Sequence, residues 1–237
     1  MIGSVNLQEV KEKLYDSLKE SGWANKLKTY LQGQEFDHIL EVLLKEAQDG
    51  KRFTPPLKYV FKALELCPFE RVKVVIIGQD PYPQPDVADG LAFSCSRKDR
   101  AEVSLQFIKQ CIVDTVPESD LALNQSNDLF RWAQQGVLLL NTALTTTIGK
   151  PGTHQILWRS FIVNILDSLV WTDTQRVYVF MGKKAQEFID LVPDSNHKLV
   201  TSHPASAAYT GTTWDCCNMF NKINNYLQQQ SKTTIVW

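Results

Sequence analysis

The sequence predicts an α/β fold, a single domain with a central parallel four-stranded sheet flanked by helices on both faces. Three observations carry that expectation. Four short, continuous aliphatic runs occur at residues 72–77, 137–140, 177–181 and 198–201. Such runs suit strands buried on both faces, because alternation disappears when neither face meets water. Amphipathic stretches of helical length separate the runs, and strand–helix alternation gives right-handed crossovers and a parallel sheet. Finally, the 237 residues, 43% hydrophobic and 22% charged, can bury a sizeable core without staples.

Taken in order, residues 7–48 read as helices. Leu7, Val10, Leu14 and Leu18 recur at helical spacing, as do Phe36, Ile39, Leu40, Leu43 and Leu44. Phe53-Thr54-Pro55-Pro56 breaks the pattern, since proline lacks a donor and restricts its neighbour. Residues 57–66 read as one helix ending at Cys67-Pro68. The four strands then run into turn residues: Gly78-Gln79-Asp80-Pro81-Tyr82-Pro83, Asn141-Thr142, Gly182-Lys183-Lys184 and Ser202-His203-Pro204. Helices are expected at 104–114, 128–135, 155–170, 184–191 and 214–229. Phe107, Phe130, Trp132, Trp158 and Phe161 on these helices read as core or support. No repeat, low-complexity tract or Gly/Ser linker divides residues 1–237, so one domain is expected.

Charge and composition exclude several classes. A net charge of −1 and a pI near 6.4 leave no basic coat for unspecific nucleic-acid binding, so any DNA contact must be local. No run of eighteen apolar residues predicts a membrane span, and Met1-Ile2-Gly3-Ser4-Val5-Asn6 lacks the pattern of a secretory signal. A cytoplasmic location is expected, or a nuclear one in a eukaryotic or viral setting. The five cysteines show no C-x-x-C spacing and read as reduced, mostly buried thiols. The four histidines lie far apart. Neither a metal nor a cofactor is expected.

In an open parallel sheet, ligands bind beyond the carboxyl ends of the strands. Gln79, Asp80, Tyr82, Asn141 and His203 stand at those ends. Alone, Asp80 before Pro81 reads as a turn aspartate. Three prolines around one carboxylate and one aromatic instead describe a rigid, preorganised loop. Alone, His203 reads as structural; at a strand end facing Asp80 it becomes a candidate acid or hydrogen-bond donor. Asn141 could cap a turn, or present one donor and one acceptor to a base edge. Phe93, in Gly90-Leu91-Ala92-Phe93-Ser94, reads as core or as a stacking surface. No G-x-S-x-G elbow supports a serine hydrolase, and Gly149-Lys150-Pro151-Gly152 lacks the context of a P-loop.

These strings, with Gly136-Val137-Leu138-Leu139-Leu140-Asn141-Thr142 and His203-Pro204, match in order and spacing the uracil-DNA glycosylases of the principal family, family 1. The sequence resembles that family from about Trp23 to Trp237. The resemblance implies a monofunctional glycosylase that cuts the N-glycosidic bond of uracil in single- and double-stranded DNA, the first step of base-excision repair. It implies Asp80 as the carboxylate orienting water and stabilising the cationic sugar. His203 would donate to uracil O2, Asn141 would read the O4 and N3 edge, Tyr82 would exclude thymine, and Phe93 would stack on the base. Gln79 would contribute its backbone. Pro81, Pro83, Ser104, Ser206, Ala207 and Tyr209 would contact DNA. A monomer is expected, and a DNA-mimicking protein inhibitor is a further candidate partner.

The chain also departs from the family. Pro83 stands where histidine is common, and Met181 where tryptophan is common. Ala205 and Ala208 replace serines expected to hold phosphate, and Ala207 replaces a leucine wedge. The alternative reading is a catalytically silent DNA-binding scaffold, or a replication processivity subunit, on the same fold. Asp80, Asn141 and His203 argue against it, since a scaffold needs none of them. The cysteine spacing argues against an iron–sulfur glycosylase.

Overall fold

The computed structural model describes residues 6–97, 99–116, 126–172 and 174–237. Four helices open it: α1 (Leu7–Ser17), α2 (Trp23–Lys26), α3 (Lys28–Leu31) and α4 (Gln34–Gln48). They lead through β1 (Phe53–Thr54) and α5 (Lys62–Leu66) into β2 (Val74–Gly78). Then come α6 (Val103–Thr115), α7 (Phe130–Gln134), β3 (Val137–Asn141), β4 (Thr146–Thr147) and α8 (Gln155–Val170). The chain finishes with β5 (Val177–Met181), α9 (Lys183–Gln186), β6 (His197–Thr201), α10 (Ser206–Thr210) and α11 (Met219–Gln229).

Strands β2, β3, β5 and β6 form one four-stranded sheet in the order β3-β2-β5-β6, and every pairing is parallel. All residues of β2, β3 and β5 are buried, so both faces of the sheet are covered, as continuous aliphatic runs require. β6 forms one edge and keeps Val200 exposed. The chain turns from β2 toward β3 but from β5 toward β6. The connections therefore diverge between β2 and β5, which opens a crevice at their carboxyl ends. The register pairs Gly78 with Asn141 and Ile77 with Phe180, so these ends are level.

The helices seal this sheet with aromatic side chains. Phe36, Phe61 and Phe161 stack, with centroids 5.3 to 6.0 Å apart, and all are buried. Trp132 meets Trp237 edge-on at 5.1 Å, which ties the C-terminus to α7. Trp158 is fully buried, while Phe107 and Phe130 pack against the core from its margin.

Several boundaries differ from expectation. The helix expected over 57–66 is a 3₁₀ turn at Leu57–Tyr59 followed by α5. The junction (Val60 and Phe61) and α5 (Leu64) bury residues toward the same core, which is why the periodicity reads through the break. Likewise 184–191 divides into α9 and a 3₁₀ turn at Ile189–Leu191. The last helix begins at Met219 rather than 214. There the Asp215 carboxylate accepts the Cys217 N–H at 2.7 Å, and Cys217 and Asn218 stand at φ 52° and 53°, outside helical space. The antiparallel β1–β4 pair was not anticipated; two-residue strands carry no pattern.

The cysteine expectation needs correction. Cys111 of α6 and Cys216 are joined by a disulfide, whereas Cys67 and Cys95 are buried free thiols and Cys217 is an exposed one. The partners are 105 residues apart, and only the docking of α11 against α6 brings them together.

Arg176 anchors the amino-terminal end of the sheet. It is 2% exposed, and its guanidinium donates to the carbonyls of Val72, Leu169 and Thr174 at 2.9 to 3.1 Å and to Thr172 Oγ1 at 2.6 Å. Removing it strands the Val72 and Thr174 carbonyls, at about 1–3 kcal/mol for each buried group left unpaired, while the Leu169 carbonyl keeps the Thr172 hydroxyl. Arg176→Ala is therefore expected to cost roughly 3–5 kcal/mol, or about 10 °C in melting temperature for a chain of this size. Thermal denaturation of the variant measures this, and a midpoint within about 2 °C of wild type contradicts it.

Candidate active site

The crevice at the strand ends deepens into a cavity of about 470 Å³. Gln79 and Asp80 enter it directly from β2, Asn141 is the last residue of β3, and His203 lies two residues past β6. Tyr82, Phe93 and Ser104 complete its wall. All the side chains predicted for base recognition and chemistry thus converge, although 124 positions separate Gln79 from His203.

Two glycines make that convergence possible. A Cβ on Gly78 would lie 2.7 Å from Asn141 Oδ1 and 3.0 Å from the Phe93 ring. A Cβ on Gly182 would lie 2.9 Å from His203 Cβ, and Gly182 stands at φ +93°. The amide, the ring and the imidazole therefore lie directly against the sheet.

Asp80 accepts the Gly152 N–H at 2.6 Å through Oδ2. Burial raises its pKa above the ordinary carboxylate value. The Gly152 N–H, the Gln79 side chain, the neighbouring His203 and the Thr146 side chain each pull it back. Burial likewise lowers the pKa of His203, with Asp80 opposing. The Ala205 N–H donates to His203 Nδ1 at 3.3 Å. An accepting Nδ1 in a neutral ring leaves the proton on Nε2, so the imidazole can donate without being charged.

Phe93 sits at φ +64°, a conformation uncommon outside glycine, and its ring centroid is 5.8 Å from that of His203. The Tyr82 hydroxyl donates to the Phe93 carbonyl at 3.0 Å, and burial holds that phenol protonated. One residue on, Ser94 donates to Asp89 Oδ2 at 2.6 Å and accepts the Leu129 N–H at 3.0 Å. Asp89 also accepts the Leu91 N–H, and burial pushes its pKa up to about 6. Opposite, the Thr142 hydroxyl and the Ala143 N–H both donate to the Gln79 carbonyl, at 2.6 and 3.2 Å.

The outer rim is less uniform. Pro81 is buried, and the Pro83 carbonyl accepts the Gly149 N–H at 2.9 Å. Ser104 lies in the first turn of α6, 4% exposed but lining the cavity. Ser206 is exposed and donates to the His203 carbonyl at 2.7 Å. Ala207, expected among the DNA contacts, is only 4% exposed; the turn of α10 directs it inward. Tyr209, two residues on, is 90% exposed at the cavity mouth. Gly152, Thr146 and Asp89 escaped the sequence reading. Nothing local marks a backbone donor, and Asp89 carries no distinguishing signature beside the Gly90 motif.

A sequence profile of the Uracil DNA glycosylase superfamily matches residues 64–228. A uracil-DNA glycosylase of Acinetobacter baumannii is 33% identical over 232 residues, covering 97% of either chain. That of Coxiella burnetii is 37% identical over 219 residues, covering 91% of this chain and 95% of the other. Among solved structures, the crystal structure of mimivirus uracil-DNA glycosylase superposes with a TM-score of 0.79 at 23% identity, covering 99% of this chain and 90% of that one. A mimivirus UNG variant in complex with UGI gives 0.80 at 24% identity, covering 99% and 91%. With most of its length inside the profile and full-length relatives above 30% identity, the chain belongs to the uracil DNA glycosylase superfamily.

Proposed function

We propose that this chain is a monofunctional uracil-DNA glycosylase of the family 1 type, hydrolysing the N-glycosidic bond of uracil in single- and double-stranded DNA and leaving an abasic site. One observation carries the reading. A half-buried carboxylate, an amide, an aromatic ring and a histidine that burial favours as neutral meet in one cavity. Bond cleavage creates an oxocarbenium-like sugar and a uracilate leaving group, so the complementary groups are an anion near the sugar and a donor at uracil O2. Asp80 is the anion and orients the attacking water. His203 Nε2–H is the donor. The base must leave the helix stack to arrive here. Phe93 then stacks on it, Asn141 reads O4 and N3, and Tyr82 fills the space that a C5 methyl would need. Gln79 lines the pocket through its backbone.

DNA lies across the rim formed by Pro81, Pro83, Ser104, Ser206 and Tyr209. With Ala207 turned inward, Tyr209 is the side chain free to enter the space the flipped base vacates. A protein that mimics the DNA backbone would seat on the same face. The contiguous core from Leu14 to Trp237 supports a single domain, and the reading includes a monomer. The direct test is incubation with a uracil-containing oligonucleotide, then alkali and a gel. Strand scission at uracil alone supports the proposal, and an intact strand returns the chain to the scaffold reading.

Asp80 must be charged and His203 neutral. Asp80 loses charge as pH falls through a pKa above its ordinary value, and His203 gains charge only below its lowered one. Therefore kcat/KM is expected to rise with pH on the acid side and stay level through neutrality. A profile that falls between pH 5 and 7 contradicts this assignment (roughly the range bracketing an ordinary histidine). Asp80→Asn should lower kcat by about a hundredfold or more with DNA binding nearly unchanged, because its interaction strengthens in the transition state.

The amide and the phenol are expected to act separately. Asn141→Asp should admit some cytosine, whose edge pattern is inverted relative to uracil, and Tyr82→Ala should admit thymine. Release of each base is measured directly; failure of both variants to release either base above wild type removes the pocket assignment.

Tyr209→Ala should raise the ratio of kcat/KM on single-stranded over U·A duplex substrate. Burying an apolar side chain of this size is worth roughly 1.5–3 kcal/mol, equivalent to about a ten- to hundredfold change in that ratio. An unchanged ratio excludes Tyr209 as the plug.

A further inference from the structure

The loop that reaches Asp80 is anchored from behind by a row of hydrogen bonds that runs from the half-buried Glu46 into the core. Residues 147–153 contain no buried residue; His154, 3% exposed, is the first. The Trp158 indole N–H donates to Thr145 Oγ1 at 2.7 Å. Thr145 Oγ1 lies 2.8 Å from His154 Nδ1, and His154 Nε2 lies 3.0 Å from Glu46 Oε2 on α4. An indole can only donate, so Thr145 Oγ1 accepts from Trp158. In a neutral ring whose Nδ1 accepts from the Thr145 hydroxyl, the proton sits on Nε2 and goes to Glu46 Oε2. The burial that lowers the pKa of His154 agrees, with Glu46 opposing it. Lys51 lies 3.7 Å from the other Glu46 oxygen, and Thr147 Oγ1 is 3.4 Å from His154 Nε2. A Glu–His–Thr row resembles a hydrolase triad, but Thr145 is fully buried and no substrate can reach it.

The row has a mechanical consequence. Gly149 and Gly152 both stand at positive φ, and nothing crowds the space beside Gly149. The turn between β4 and α8 therefore has little side-chain packing of its own. His154 at one end and the β1–β4 pair at the other fix its position. Within it, Thr153 Oγ1 accepts the Thr147 N–H at 2.9 Å, and Thr146 Oγ1 donates to the Lys150 carbonyl at 2.9 Å.

We infer that Glu46 and His154 are positioning residues for Asp80, holding the turn so that the Gly152 N–H stays 2.6 Å from Asp80 Oδ2. The inference rests on the reading of Asp80 as the reacting carboxylate. Asp80 is faced by the Gly152 N–H and Thr146 from this turn, by Gln79 from its own loop and by His203 beyond β6. If the turn loosens, the first of these contacts weakens, and a carboxylate that loses a donor binds its proton more readily.

Glu46→Ala is the test, with Glu46→Gln as the conservative variant that still accepts from Nε2–H. The readouts are the ¹³C-carboxyl titration of Asp80 by NMR and the pH profile of kcat on uracil-containing DNA. In Glu46→Ala the Asp80 titration and the acid limb of kcat should both move up by about half a pH unit or more. At neutral pH, kcat should fall roughly tenfold with KM within about twofold. Glu46→Gln should restore most of both. Should Glu46→Ala not fold, Thr145→Val cuts the same row without stranding a charge and is read by the same measures. An Asp80 titration unmoved in the folded variant overturns the inference, even if stability or KM has changed. A wild-type protein that releases no uracil overturns the reading of the site instead, and the NMR titration still decides whether the row holds Asp80.

Discussion

A carboxylate taken out of water must be kept charged by local donors, and the architecture around Asp80 follows from that constraint. Burial alone pushes Asp80 toward its neutral form, which could neither orient water nor answer a cationic sugar. A cationic partner would hold the charge, but it would also compete with the positive sugar of the transition state. The protein uses dipoles instead, chiefly a backbone N–H from Gly152 and an amide from Gln79. Dipoles held in place need no reorganisation when charge develops. Their cost is stiffness, because each must be carried by a framework that does not yield. The turn between β4 and α8, outwardly a surface loop, ends in the row Glu46–His154–Thr145–Trp158, whose inner members are buried.

The opposite wall solves a steric problem. An amide, an aromatic ring and an imidazole must share the space beyond three adjacent strand ends. The level register of Gly78 with Asn141, and the missing Cβ atoms of Gly78 and Gly182, provide the clearance. Phe93 accepts an unfavourable φ to present its ring. Its carbonyl is held by Tyr82, and the following residue is held through Ser94 to Asp89. On the proposed reading, recognition and strain share one network, in which Tyr82, proposed to screen C5, also supports Phe93, proposed to stack.

Much of this was legible in the chain. The four aliphatic runs located the strands within two residues, because strands buried on both faces are continuous in sequence. The turn residues after them located the site, because a parallel sheet presents all its carboxyl ends on one edge. What escaped was whatever depends on meeting at a distance. The Gly152 donor is backbone and has no side-chain signature. The disulfide joins Cys111 to Cys216 across 105 residues. Arg176 looks like a surface charge until the carbonyls of Val72, Leu169 and Thr174 surround it. Ala207 was misplaced for the converse reason. A loop motif gives residue order, whereas the five-residue turn of α10 decides which side chains face outward.

The rim and the pocket consequently divide affinity and specificity unequally. A net charge of −1 offers little counterion release along a DNA backbone, the main sequence-independent source of affinity. Alanines at 205 and 208 remove two hydroxyl donors from the stretch that borders the cavity. Weak phosphate contact leaves less binding energy to offset the few kcal/mol lost when a base leaves the stack. On the proposed reading, discrimination comes from groups that act only once the base is inside: Asn141 on its edge, Phe93 on its face and Tyr82 at C5. The fold holds those groups in place, with Asn141 at the end of a fully buried strand and Phe93 and Tyr82 joined by a hydrogen bond. A loose grip with a rigid pocket favours rapid sampling of undamaged DNA. An ill-fitting base gains little from the rim and nothing from the pocket, so it leaves before the bond can break.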